Sequence, residues 1–134
     1  MLAVVALPPW LGHLADGAMR AAGIALIATS IALFAWAKRV LGRSFTPFPR
    51  PVDDATLCTT GAYGIARHPI YASLIVFAAG WAILWRSPEG AACALLLLAF
   101  FDLKSRREEL WLERKYAGYA AYRERVKRFF PFVY

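Results

Sequence analysis

Apolar positions along the 134-residue chain fall into long unbroken runs, not into the alternation of a half-buried strand. Residues 21–37 (AAGIALIATSIALFAWA) carry no charge, and neither do residues 69–85 (PIYASLIVFAAGWAILW). A helix that crosses a bilayer needs about 20 apolar residues, with roughly 17 as the lower limit. Both runs meet that limit. Residues 90–101 (GAACALLLLAFF) are shorter. They span only by drawing in flanking residues such as Asp102, and otherwise form a buried or re-entrant helix. Residues 86–89 (RSPE) leave room only for a tight turn, so the second and third runs are expected as an antiparallel hairpin. Residues 1–14 are apolar but contain Pro8-Pro9, which predicts an interfacial or partly inserted lead-in. No basic residue precedes Arg20, so this segment does not read as a cleavable signal peptide.

A second period follows the third run. Leu112, Tyr116, Tyr119, Tyr122 and Val126 recur at spacings of 4, 3, 3 and 4 among arginines and lysines. That is one helical face, and it predicts an amphipathic cytoplasmic helix lying on the membrane and ending before Phe129-Phe130-Pro131. The expected architecture is an all-α integral membrane bundle of about three transmembrane helices, with a fourth if residues 1–14 also span. It forms a single domain, with residues 1–37 as its N-terminal membrane part and 38–134 as its core.

Composition narrows the class. The chain is 60% hydrophobic and 19% charged, against about 45–50% and about 25% for a soluble domain. This excludes disorder, coiled coil, collagen and a disulfide scaffold. The net charge of +7 comes from 16 Lys and Arg against 9 Asp and Glu. Five of the basic residues lie within 38–67 and nine within 104–134, leaving Arg20 and Arg86 elsewhere. By the positive-inside rule both rich segments face the cytoplasm, so the charge reads as topology and anionic lipid, not nucleic acid. Cys58, Cys93, His13 and His68 show no metal-ligand spacing, and no metal is expected.

Two clusters on that cytoplasmic side offer chemistry. Residues 61–71 hold Tyr63, Arg67, His68, Pro69 and Tyr71. Pro69 suits the first turn of a helix, which sets Arg67 and His68 at a helix N-terminus, where anions are favoured. Taken singly, Arg67 reads as a topology charge and the tyrosines as interfacial aromatics. Their concentration is more than topology requires. The second cluster is Glu108-Glu109. An acidic pair adds nothing to positive-inside topology, and it suits hydroxyls or a cation. Neighbouring helix residues point about 100° apart, so one glutamate is expected to face a ligand and the other to support the fold. The 38–67 connection mixes apolar residues with turn-formers, as functional loops of this length do.

These elements in order resemble the isoprenylcysteine carboxyl methyltransferase family and related membrane phospholipid methyltransferases. The resemblance rests on Leu41-Gly42-Arg-Ser-Phe45-Thr46, Leu57…Thr60-Gly61-Ala-Tyr63, Arg67-His68-Pro69-Ile-Tyr71 and Glu108-Glu109. It continues in Tyr116-Ala-Gly118-Tyr119…Tyr122…Arg125-Val-Lys-Arg128-Phe-Phe-Pro131. Lys127 stands where the family often has proline, and Ala117 where it often has glycine.

The resemblance implies S-adenosylmethionine as methyl donor, with Tyr63, Arg67, His68, Pro69, Tyr71, Glu108, Glu109 and Tyr119 as its binding residues. Arg67 and His68 are the catalytic candidates. Arg67 would pair with the cofactor carboxylate, the glutamates with ribose hydroxyls or the ammonium, and tyrosine faces with adenine or the sulfonium. The methyl acceptor would be a lipidic or prenylated amphiphile entering from a bacterial-type inner membrane. Carboxylate, amine, thiolate and phenol all remain open as nucleophile. Two alternatives stand beside this reading: an NADPH-dependent sterol-type reductase, whose family also carries an Arg-His-Pro-x-Tyr element, and a non-enzymatic lipid-binding membrane protein.

Overall fold

The first apolar run lies inside a longer helix. In the computed structural model, which describes residues 9–42 and 56–133 and side chains from Asp16 on, helix α1 spans Pro9–Leu41. Pro9 opens the helix, where its missing N–H costs no hydrogen bond. The expectation of a separate lead-in therefore fails from Pro9 onward. What was expected of residues 1–8, and of the Arg43-Ser-Phe45-Thr46 part of the loop, lies outside the described residues. Within α1, Asp16–Leu41 is long and apolar enough to cross a membrane. Lys38 and Arg39 in its last turn complement the negative end of the helix dipole.

A 3-10 turn, Gly61–Gly64, leads to α2, Pro69–Trp85. The helix coincides with the second apolar run. His68 caps it and Pro69 stands in its first turn. At the other end Arg86 takes a left-handed conformation, φ 51°, and closes the helix through N–H bonds to Ala82 and Ile83 carbonyls. Ser87 then caps α3, Pro88–Lys115, its Oγ accepting from the Gly90 N–H at 2.9 Å. The tight hairpin is as the RSPE spacing predicts.

Helix α3 carries the third apolar run on through the charged residues to Lys115, 28 residues in all, so Glu108 and Glu109 stand on the same helix as that run. Glu89 in its first turn and Arg114 and Lys115 in its last suit the dipole. The expected amphipathic helix is also corrected. Tyr116 is extended (φ −121°, ψ 113°), and a short α4 begins afresh at Tyr119–Arg125. Tyr119 and Tyr122 are buried, so the aromatic stripe faces the protein's own core.

Helix α2 lies between the other two and runs antiparallel to both. Its seam with α1 is made of backbone. A Cβ on Gly23 would meet the Leu84 Cβ and N at 2.8 Å, and one on Gly80 would meet the Gly23 carbonyl at 3.0 Å. Small residues of this kind let membrane helices approach closely. Two buried clusters mark the core. Ala37, Ala62 and Tyr63 join α1 to the 3-10 turn, and Ala72, Ile75, Phe101 and Phe129 join α2 to α3. Ile24, Ile31, Phe77, Trp81, Leu95, Leu96 and Phe100 point outward. So continuous an apolar exterior does not suit water.

Candidate active site

The antiparallel hairpin sets the start of α2 against the charged half of α3. Residues about forty positions apart meet there. The Arg67 Nε donates to Glu109 Oε1 at 2.9 Å. The His68 Nε2 lies 3.2 Å from the same oxygen, and its Nδ1 lies 3.6 Å from Glu108 Oε2. One imidazole is thus bracketed by two carboxylates. The Tyr71 hydroxyl donates to Glu108 Oε1 at 2.6 Å, and Lys104 Nζ stands 3.8 Å from that oxygen and 4.9 Å from the centre of the Tyr71 ring.

A strap following α4, residues 126–133, closes the back of the site. The Arg67 N–H donates to the Lys127 carbonyl at 2.8 Å, and the His68 N–H to the Arg128 carbonyl at 2.9 Å. These bonds satisfy amides just before α2 that no helical partner reaches. The Arg128 side chain donates to Glu109 Oε2 at 3.1 Å and to Asp102 Oδ1 at 2.7 Å. Arg67 Nη1 donates to the carbonyls of Arg123 and Val126. The Tyr122 hydroxyl donates to the Tyr63 carbonyl at 2.6 Å, tying the 3-10 turn to α4.

Burial separates the two glutamates. Glu109 is 3% exposed and serves Arg67, His68 and Arg128 together. Burial alone would raise its pKa, but the hydrogen bonds from His68 and Arg128 and the Arg67 charge outweigh it and hold the carboxyl at about 2. Glu108 is less enclosed and more weakly compensated. Burial pushes its pKa above the ordinary value despite the Tyr71 hydroxyl. Burial likewise raises the Tyr63, Tyr119 and Tyr122 phenols well above theirs. The Tyr119 hydroxyl is buried with no hydrogen-bond partner among the described residues. Such orphans are few in native proteins and ask for an explanation.

Of the residues singled out in the sequence, Arg67, His68, Tyr71, Glu108 and Glu109 share one polar knot. Pro69 is fully buried at the head of α2. Tyr63 stands behind the knot through Tyr122, and Tyr119 lies edge-on to Tyr122 at 5.7 Å between ring centres. Four contributors were not foreseen as site residues: Arg128, Asp102, Tyr122 and Phe129. Phe129 is 1% exposed and meets His68 edge-on at 6.2 Å. Their local patterns read as basic tail, helix flank and helical stripe. Only the strap's return to α2 gives them this place.

The profile of the phospholipid methyltransferase family matches residues 18–118. The chain is 34% identical over 97 residues to the probable protein-S-isoprenylcysteine O-methyltransferases of Oryza sativa subsp. indica and subsp. japonica, covering 69% of this chain and 50% of each relative. It is 33% identical over 96 residues to protein-S-isoprenylcysteine O-methyltransferase B of Arabidopsis thaliana, covering 69% of this chain and 49% of the relative. The chain therefore spans about half the length of the curated relatives it matches. With the family profile covering residues 18–118, this chain belongs to the phospholipid methyltransferase family and is related to its isoprenylcysteine carboxyl methyltransferase members.

Proposed function

We propose that this protein is an S-adenosylmethionine-dependent methyltransferase of the membrane, acting at its cytoplasmic face on a lipidic or prenylated amphiphile. The observation that carries this reading is the polar knot of Arg67, His68, Glu108 and Glu109 set directly beside an exposed apolar belt. A polar cofactor and an apolar acceptor would meet at that boundary. The relatives' names favour the carboxylate of an isoprenylated cysteine as the first acceptor to test, with a lipid amine second.

The residues present fit the cofactor. Arg67 Nε and Nη1 are engaged within the protein, which leaves Nη2 to meet a carboxylate. Glu108, the more open glutamate, accepts from a ribose hydroxyl or the ammonium. The orphaned Tyr119 hydroxyl offers a buried polar group close to Arg67 and Glu109. When bound, S-adenosylmethionine supplies a sulfonium methyl open to direct in-line displacement. The chain's own part is to orient and to exclude water. Glu109 and Arg128 hold Arg67 and His68 in place. His68, bracketed by Glu109 and Glu108, is placed to hydrogen-bond the cofactor or to act as base toward an acceptor that must lose a proton. Basic residues on the same side support a cytoplasmic orientation.

Titration calorimetry in nanodiscs with S-adenosylhomocysteine and with NADPH tests the cofactor, and labelled methyl transfer to a farnesylated cysteine and to total lipid extract tests the acceptor. Binding of S-adenosylhomocysteine with label in either acceptor is expected. Binding of NADPH alone would replace this reading with the reductase alternative, and absence of label from both acceptors would remove the activity.

A further inference from the structure

The strap does more than close the site. After its backbone bonds to Arg67 and His68, it buries Phe129 among Ala72, Ile75 and Phe101. Ala72 and Ile75 belong to the first two turns of α2, so the strap reaches into the depth of the apolar stretch. It then turns. Phe132 takes φ 67°, and the Val133 N–H donates to the Phe130 carbonyl at 3.3 Å. A left-handed conformation is uncommon for a bulky residue. Here it directs apolar groups away from the core: Phe132 is 97% exposed and Val133 78%. Arg125 at the end of α4 and Lys127 on the strap are exposed cations, and residues 126–133 contain no acid.

We propose that Phe132 and Val133 insert into the headgroup–acyl boundary of an anionic cytoplasmic leaflet, with Arg125 and Lys127 at the level of the lipid phosphates. An apolar tip edged by cations has the complementarity of an interfacial anchor. The strap packs through Phe129 on α2, whose Leu74 and Phe77 are likewise outward apolar residues with lipid as their natural neighbour. The inference rests on the membrane reading above. It adds a link between bilayer and site: the anchored strap is the same segment whose Arg128 holds Glu109 and whose backbone holds His68.

The test is a nitroxide at Phe132→Cys, in a chain also carrying Cys58→Ser and Cys93→Ser, reconstituted in phosphatidylglycerol-containing nanodiscs. A second label at Phe77→Cys on α2 serves as the bilayer reference. Accessibility to oxygen and to a water-soluble nickel chelate is measured at both. The expected result is oxygen access with nickel protection at both positions, shallower at 132 than at 77. Nickel access at 132 with protection at 77 overturns the anchor and leaves the membrane reading standing. Nickel access at both overturns the membrane reading itself. Protection from both reagents at 132 means protein packs there, and also overturns the anchor. In phosphatidylcholine-only nanodiscs, nickel access at 132 is expected to rise about twofold or more, because the basic residues lose their anionic partners. An unchanged value overturns the anionic preference.

Discussion

Two ion pairs tie the helices together at opposite ends, and they are made of the same chemistry. Arg86 donates to Asp16 where α1 meets the hairpin turn, with side chains 62% and 48% exposed. Arg67 donates to Glu109 at the other end, with side chains 8% and 4% exposed. The first pair competes with water and with salt. The second has no water to fall back on, and its carboxylate also serves His68 and Arg128. The contrast teaches that a pair's weight comes from its enclosure and its shared partners, not from its contact distance.

The largest expected effect is therefore at the enclosed end. Glu109→Ala leaves Arg67, His68 and Arg128 without their common acceptor, and breaking a buried pair in this way typically costs about 3–5 kcal/mol. Thermal unfolding in detergent would read it. Acid provides a gentler version. The Glu109 carboxyl sits at about 2 in the folded protein against an ordinary 4.5. Between those values the unfolded chain binds the extra proton, so the stabilisation is complete above the upper value and is lost as pH falls toward the lower. Glu109→Gln should flatten stability over that window relative to the wild type. A variant curve parallel to the wild type would mean that Glu109 is not the acid-sensitive group.

The next effects sharpen the comparison. Gly23→Ala drives a Cβ into the Leu84 backbone, and overpacking of this kind costs about 1–3 kcal/mol. A neutral result would show that the α1–α2 seam can open without the knot. Glu108→Gln separates binding from stability. It should cost little stability, on the order of 1 kcal/mol for the altered hydrogen bond with Tyr71, while weakening S-adenosylhomocysteine binding about tenfold or more, the scale of one lost charge-assisted bond. The smallest effect is Asp16→Asn at the open end. An exposed pair is worth about 0–1 kcal/mol and fades with salt, so a larger, salt-insensitive loss would show that the two ends are not as different as their exposure indicates.

The hydrophobic pattern located α2 to the residue, because Pro69 and the Arg86-Ser87-Pro88 turn punctuate it on both sides. It misplaced the start of α1, because a proline that breaks a helix interior is welcome in its first turn. The apolar run marks only the first half of α3, because hydropathy reports which residues avoid water, whereas the backbone hydrogen bonds of a helix continue through charged residues. The stripe from Leu112 to Val126 kept its period across a break at Tyr116, so spacing alone did not expose the break. The pairing of the Arg-His-Pro-x-Tyr element with Glu108-Glu109 was legible through family resemblance. No local period connects residues 41 or 42 positions apart.

The sequence by itself determined the helical class, the hairpin, the basic side and the residue types gathered for chemistry. These follow from local rules: run length, turn residues and charge placement act within a few positions. Only the tertiary structure decided which glutamate is the more enclosed, that Arg128 completes the knot, and that the strap returns to the head of α2. Adjacent glutamates are chemically identical in the sequence. What distinguishes them is the direction each takes from α3 and the groups already waiting there, and both are set by how α2, α3 and the strap pack.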